Sequence, residues 1–569
     1  MRFHRTAPTI VGAAALTLLA AAFANAHDHD NDHDRGHGHH MQPLTPIEHV
    51  VIIYNENVSF DHYFATYPAA TNPAGEPRFH ALPGTPRVNN LVTSNLLTNN
   101  PNYTNVANGL NAAEPFRLDR TQAATADQNH AYTAEQQAYD GGKMDLFPKY
   151  TGNGTSGGAG AFGTRGQVMG YYDGNTVTAM WNYAQRFAMS DNAYTDTFGP
   201  STPGALEAVS GQTNGMQIVQ SSKSSYYVAD GQGGYTMIND VDPADDVCSS
   251  ATNQVWMTGK NIGDLLNDAD ISWGSFMGGF DLNKVNDNGT TDCARSTFSS
   301  TVNGTVTDYI PHHAWFQYYQ STSNPTHARP SSIAAVGHTY EADGMTRDAA
   351  NHEYDIDDFF AAVKAGNYPA VSYLKAPAYQ DGHAGYSDPL DEQVFVAKVV
   401  NFLQTRPEWR STAVIVTWDD SDGWYDHAFA ATSSASFDAV ADQLNGPGVC
   451  GSGTAPTGLK GLPVNGRCGP GTRIPFLVIS PYAKRNYVSH TQISQASIVR
   501  FIEDNWLGGM RIGGGSFDAT TGSIMNMFDF RRGPDLEPLF LDPEQGTRFM
   551  AWHRGPHEHE FNDFDHDRR

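Results

Sequence analysis

The chain is expected to fold as α/β, with a mainly parallel central sheet flanked by helices. Three observations lead there. Apolar runs of strand length alternate with helical patterns, two of those runs end abruptly in carboxylates, and long polar stretches interrupt the pattern without replacing it.

The first strand-like run is Ile47-Glu48-His49-Val50-Val51-Ile52-Ile53-Tyr54. Residues 262–266 read as a helix and 271–277 as a strand, followed by a strand over 370–374. A helix over 390–403 carries Val396, Val399, Val400 and Leu403 at helical spacing. Strands over 413–418 and 474–480 and a closing helix over 494–506 complete the alternation. The polar, small-residue stretches 89–113, 151–166 and 431–471 read as insertions or lids over a site.

Arg2 and Arg5, an apolar stretch over 10–23 and the small-residue site Ala24-Asn25-Ala26 form a secretory signal, with cleavage expected before His27. Residues 27–43 are then expected to form a His/Asp-rich disordered tail, 44–510 the catalytic domain, and 511–569 a C-terminal extension with its own His-rich tail. No other segment approaches the roughly 18 apolar residues a spanning helix needs, so the mature protein is expected to be secreted or periplasmic. The 569 residues carry a net charge of −26, and −28 once the two signal arginines are gone. That charge argues against a nucleic-acid partner. Cys248, Cys293, Cys450 and Cys468 suit an oxidising compartment and allow three pairings, of which sequence proximity favours Cys248–Cys293 and Cys450–Cys468.

The two acid clusters carry the chemistry. Tyr54 runs through Asn55 into Glu56-Asn57-Val58-Ser59-Phe60-Asp61-His62-Tyr63-Phe64, and Trp418 runs into Asp419-Asp420-Ser421-Asp422-Gly423-Trp424-Tyr425-Asp426-His427. Acids at strand ends that line a crevice suit a hard cation. Between them, Gly199-Pro200-Ser201-Thr202-Pro203-Gly204 reads as a turn opening a helix capped by Gly211, with Pro203 at the first helical position. Unpaired N–H groups there favour a phosphate. By local pattern alone, Ser201 and Thr202 suit a helix cap.

These segments together resemble the bacterial phosphoesterase family of secreted acid phosphatases and phosphocholine-type phospholipases C, within the alkaline-phosphatase-like superfamily. The resemblance runs from Ile47 to Trp506, with Val58 and Ala65 standing where the family commonly has Arg and Gly. It implies Ser201 as a phosphoseryl nucleophile and Glu56, Asn57, Asp419, Asp420 and Ser201 as ligands of a divalent metal ion. Oxygen ligation suits Ca, Mg or Mn, with Zn also open. It further implies that His312, His313, His383 and His130 surround the phosphate. His427 instead reads as holding the strand end or supporting a ligand from behind, and His490 is not assigned to the site. Protonated His312 and His313 would make activity decline above about pH 7.

Ser-Thr-Pro-Gly and the roughly 60 residues after Trp506, against the extra C-terminal domains of the family's large phospholipases, favour a phosphomonoesterase of acid phosphatase type. The alternative is a phospholipase C acting on diesters such as phosphatidylcholine, so the expected partner is a small phosphate ester or a phospholipid headgroup. A sulfatase is disfavoured, because Ala205 stands where the sulfatase modification motif ends in arginine. A His-rich exported metal-binding protein is the second alternative, motivated by the tails alone.

Overall fold

The computed structural model describes residues 42–220 and 223–549. The expected signal, the His/Asp tract after it and the C-terminal His-rich tail lie outside the described residues. Eight strands build the central sheet: β1 His49–Asn55, β2 Ala188–Ser190, β3 Trp273–Met277, β4 Glu353–Asp355, β5 Val371–Lys375, β6 Thr412–Trp418, β7 Phe476–Ile479 and β8 Tyr487–Ser489. Their order is β4-β3-β5-β1-β6-β7-β2-β8. Only β7 runs antiparallel to its neighbours, so the sheet is mainly parallel as expected. The central strands are buried on both faces, which is why β1 and β6 read as near-continuous apolar runs.

The principal helices are α1 Phe60–Phe64, α2 Tyr132–Tyr139, α3 Thr178–Arg186, α4 Ser201–Ser210, α5 Ile262–Asp268, α6 Ile356–Lys364, α7 Pro389–Gln404 and α8 Ala496–Trp506. Alternation along β1 shows that they cover both faces. Tyr54 donates its hydroxyl to Gly204 O of α4 at 2.8 Å, and its neighbour Asn55 donates to Glu392 of α7 at 2.7 Å. Adjacent strand residues point to opposite faces, so α4 and α7 lie on opposite sides of the sheet. Asp388 caps α7 by accepting from Leu390 N and Asp391 N, with Pro389 in its first turn.

Register places the site. Asn55 pairs with Trp418, so the next residues, Glu56 and Asp419, leave the sheet side by side. One strand further, β5 ends in Lys375. The helix start differs from expectation: α4 begins at Ser201 with Pro200 as N-cap, so Pro203 lies within the first turn and Ser201 makes no capping bond. Gly211 closes the helix in the left-handed conformation, as expected.

Three features go beyond the expected alternation. A second sheet of five short strands runs in the order Tyr227–Ala229, Tyr235–Met237, Asn214–Ile218, Gln254–Met257, Asp242–Pro243. The segment after α8 is stitched into the domain: Asn401 and Gln404 of α7 bond the backbone of Leu541 and Leu539. Disulfides join Cys248 to Cys293 and Cys450 to Cys468, the pairing that proximity favours.

Gly204 is where α4 meets the end of β6, and a Cβ there would fall 2.0 Å from Asp419 O. Neither the helix nor the strand end yields without moving the other. Gly204→Ala should therefore cost about 1–3 kcal/mol, the usual penalty of overpacking, read as a lower midpoint in denaturant unfolding. A midpoint equal to wild type would show that this contact is loose.

Candidate active site

Ser201 stands at the centre of the acid cluster. Its Oγ lies 2.9 Å from Glu56 Oε2, 3.2 Å from Asn57 Oδ1 and 3.1 Å from Asp420 Oδ2. Asp419 Oδ1 accepts from the backbone N–H of Asn57 at 3.1 Å and of Asp420 at 2.8 Å. All five expected ligand residues are buried; Glu56, Asn57 and Asp420 meet at Ser201 Oγ, and Asp419 adjoins them through the Asn57 and Asp420 N–H groups. Asn57 is held at φ 53° and Asp422 at φ 54°, left-handed conformations that Asn and Asp tolerate better than other side chains. These sharp turns carry the chain from each strand end back across the site.

The donor set suits a divalent cation. Two carboxylates and one carboxamide oxygen meet at one hydroxyl, with a third carboxylate, Asp419, bonded to the adjoining backbone, and the hydroxyl has a single hydrogen to offer three acceptors. Asn57 Oδ1 likewise faces acceptors. Turned over, the amide nitrogen would instead donate to Glu56 Oε2, Asp419 Oδ1 and Asp420 Oδ2, and the oxygen would accept from His383 Nε2. A point that attracts either a cation or a two-hydrogen donor fits a hard metal ion.

Burial and mutual repulsion push the acids up. Asp420 rises through burial, opposed by His130 and reinforced by Asp419; Asp419 rises through burial and Glu56, opposed by Lys375. Glu56 moves to about 7, chiefly by burial, with Lys375 pulling the other way.

The four histidines divide. His313 Nδ1 lies 3.2 Å from Glu56 Oε1 and its ring is buried. His130 Nδ1 meets Gln128 O at 2.9 Å and Asp422 Oδ1 at 3.1 Å, turning Nε2 towards Asn57 at 3.5 Å. His383 Nδ1 meets Ala384 O at 2.5 Å. His312 is the outlier: its ring is 3.8 Å from Asp242, and its carbonyl, not its ring, contacts Thr202. Burial lowers His313, helped by His312 and Lys375, and takes His383 to about 4. Burial also opposes charge on His130, but Asp420, Asp422 and Asp127 outweigh it and raise it well above the ordinary value. Of these rings, His130 is held towards the charged form and His313 towards the neutral form, which counts against the expected cationic pair at His313.

The helix start is corrected too. Thr202 N–H and Oγ1 both bond Asp240 Oδ1 at 2.9 Å, and Pro203 has no N–H, so few of the expected N–H groups remain for a phosphate. His427 bonds Asp61 at 2.5 Å within a buried network with Arg473 and Asp426, the supporting place anticipated for it. His490 pairs with Asp191 and is largely exposed.

Sequence reasoning missed Lys375, Asp381, Asp422 and Glu135. Lys375 contacts Glu56 and lies 3.4 Å from Asp419 Oδ2. Burial works against its charge, but Glu56, Asp419 and Asp381 outweigh that and hold its pKa above the ordinary value. Asp381 accepts from His383 N and Tyr386, and burial takes it to about 8. Glu135 accepts from Gly199 N and Ser421 Oγ, both at 2.9 Å, tying the serine turn to the second acid loop.

Among curated relatives, the non-hemolytic phospholipase C of Pseudomonas aeruginosa is 26% identical over 476 residues, 81% of this chain and 54% of that protein. Phospholipase C B of Mycobacterium tuberculosis is 23% identical over 520 residues, 88% of this chain and 81% of that one. The chain thus spans about half the length of the first. A solved alkaline phosphatase variant is 9% identical, covering 61% of this chain and 94% of that one at a TM-score of 0.29, which carries no argument. A family model described as the Phosphoesterase family matches residues 47–507, taking in every segment that meets at Ser201, and the chain belongs to that family.

Proposed function

We propose that this chain is an exported, metal-dependent hydrolase of phosphoric esters with Ser201 as its nucleophile. One observation carries the reading: Ser201 Oγ lies within 2.9–3.2 Å of three oxygens from Glu56, Asn57 and Asp420, drawn from both ends of the domain. A serine needs such activation at neutral pH. The relatives are named phospholipases C, which supports a phosphodiester substrate, such as a phospholipid headgroup ester, over the phosphomonoester expected from Ser-Thr-Pro-Gly.

Glu56, Asn57, Asp419 and Asp420 would hold the divalent ion together with Ser201 Oγ. When bound, it supplies stabilisation of the serine alkoxide and of the charge on phosphorus-bound oxygens. The chain's own groups do the rest. Ser201 Oγ gives its hydrogen to Glu56 Oε2 or Asp420 Oδ2 and bonds phosphorus as the leaving oxygen departs. His130, held towards the charged form and turned inward by Asp422, is placed to bind a phosphoryl oxygen and to give its own proton to the leaving alcohol. It regains a proton from the water that attacks next, while the acid hands its proton back to Ser201 Oγ. Water then cleaves the phosphoseryl ester and restores Ser201.

Hydrolysis of an aryl phosphate, the matching aryl phosphocholine diester and phosphatidylcholine vesicles, with and without chelator, tests the reading. We expect diester kcat/KM at least tenfold above monoester, abolished by chelator. A faster monoester would restore the phosphomonoesterase reading. Ser201→Ala should lower kcat on the order of 10³-fold or more. Activity within about tenfold of wild type, roughly 1.4 kcal/mol, would remove Ser201 from the role.

Metal and protons compete for the same acids. Glu56 titrates at about 7 in the fold, against an ordinary 4.5. Between those values the folded state keeps a proton the unfolded chain has lost, so chelated protein should lose stability as pH rises through that window. The loss from this one group is on the order of 3 kcal/mol. A cation needs the ionised form, so the gain in Tm on adding Mn²⁺ should grow from about pH 5 to about pH 8. Thermal melts of wild type and Glu56→Gln measure this, and a gain that does not vary with pH would exclude Glu56 as a ligand.

A further inference from the structure

Lys375 takes no part in the steps above, yet it is 2% exposed and lies against the acid cluster. It ends β5, beside Tyr54 in the register. Its ammonium bonds Glu56 Oε1 and lies 3.4 Å from Asp419 Oδ2, with the Tyr54 and Trp315 rings 5.7 and 5.9 Å away. Those two oxygens are the ones not already engaged at the serine turn. Glu56 Oε2 faces Ser201, and Asp419 Oδ1 takes the N–H groups of Asn57 and Asp420. Lys375 therefore fixes each carboxylate by its outer oxygen and leaves its inner oxygen directed at the serine side.

The place matters as much as the bond. Glu56, His313 and Asp381 offer three ligand atoms close enough to hold one cation. His313 Nδ1 is 3.2 Å from the same Glu56 Oε1 that Lys375 bonds. Charge points the same way. Ionised Glu56, Asp419 and Asp420 carry three negative charges, one divalent ion offsets two, and the ammonium offsets the third, while His130 and Asp422, 3.1 Å apart, offset each other. Buried charge left uncompensated is costly, so a neutral set is the stable one.

We propose that Lys375 is the fixed second cation of this centre. It positions Glu56 and Asp419, completes the charge balance of a one-ion site, and keeps a second ion out of the Glu56–His313–Asp381 cluster. The inference rests on the metal reading above, and the test separates the two.

Mn²⁺ binding to the full chain is measured by calorimetry and elemental analysis for wild type and Glu56→Gln, whose carboxylate serves both the serine site and the Glu56–His313–Asp381 cluster, so that only ions held by the tails cancel in the difference. A difference of one ion is expected. Two ions would overturn the role of Lys375 alone, and no difference would overturn the metal reading and this inference with it. In Lys375→Met the repelling ammonium is gone, so Mn²⁺ should bind at least tenfold tighter, while kcat falls at least tenfold with KM within about threefold. Lys375→Arg keeps the charge and should hold Mn²⁺ within about threefold of wild type and recover most of kcat. Equal or weaker Mn²⁺ binding in Lys375→Met would show a merely structural lysine. Should that variant fail to fold, Lys375→Gln carries the same expectation, and the wild-type ion count still decides.

Discussion

The parallel pairing of β1 with β6 is the constraint on which the site depends. Their register runs unbroken to Asn55 opposite Trp418, and one residue later two carboxylates leave the sheet together in a water-poor interior. Like charges so placed repel strongly when solvent cannot screen them. Everything around them works to make that placement tolerable. Backbone N–H groups of Asn57 and Asp420 bond Asp419, Ser201 offers its hydroxyl, and Lys375 approaches from the next strand.

A second buried charge cluster holds the loops that carry these acids. Arg473, fully buried, bonds Asp426 at 3.0 Å and Asp61 at 3.2 Å, and also takes the carbonyls of Asn89 and Asp191. Asp61 lies five residues beyond Glu56 and Asp426 six beyond Asp420, so one guanidinium joins the two acid segments at a distance from the chemistry. His427 extends the same network to Asn89 and Ser94 of the insertion over 89–113. That insertion is thereby bonded to the acid loop. Removing one partner from such a buried set leaves another charge uncompensated, so the network is cooperative by construction.

Strand runs of the central sheet were legible because both faces are buried, leaving β1 and β6 apolar through their middles. Their ends differ by a residue or two, as element ends do. Helix α3 carried a readable sign, Met180, Tyr183 and Ala184 at helical spacing, although nearly every one of its residues is buried. Helix α6 carried a readable sign, Asp355 and Asp358 forming a capping box, that was passed over. The short strands over 214–257 follow no long periodic run. In the site, Glu56, Asn57, Ser201, Asp419 and Asp420 were legible from motif, and the fold buries them close together. Lys375 followed the same strand-then-charge pattern as the acids and was overlooked because its sign is opposite. Asp381 and Glu135 gain their place only from long-range packing. His312 misled because a histidine pair in sequence says nothing of which ring turns inward.

An interior with more acceptor oxygens than hydrogens has two ways to persist. It can take up protons, and the placement of Glu56 near 7 and Asp381 near 8 describes that solution. Or it can take up a cation, which requires those same protons to leave. The two solutions exclude each other, so binding of the ion is also ionisation of the site. Lys375 and His130 lean the balance towards the ionised form, since each raises the cost of protonating the acid it touches. The oxygen of Ser201 sits between those acids, and its hydrogen is the one most readily given up when the surrounding acids have lost theirs. Burial, which makes the cluster expensive to fold, is thus what makes its serine able to act at neutral pH.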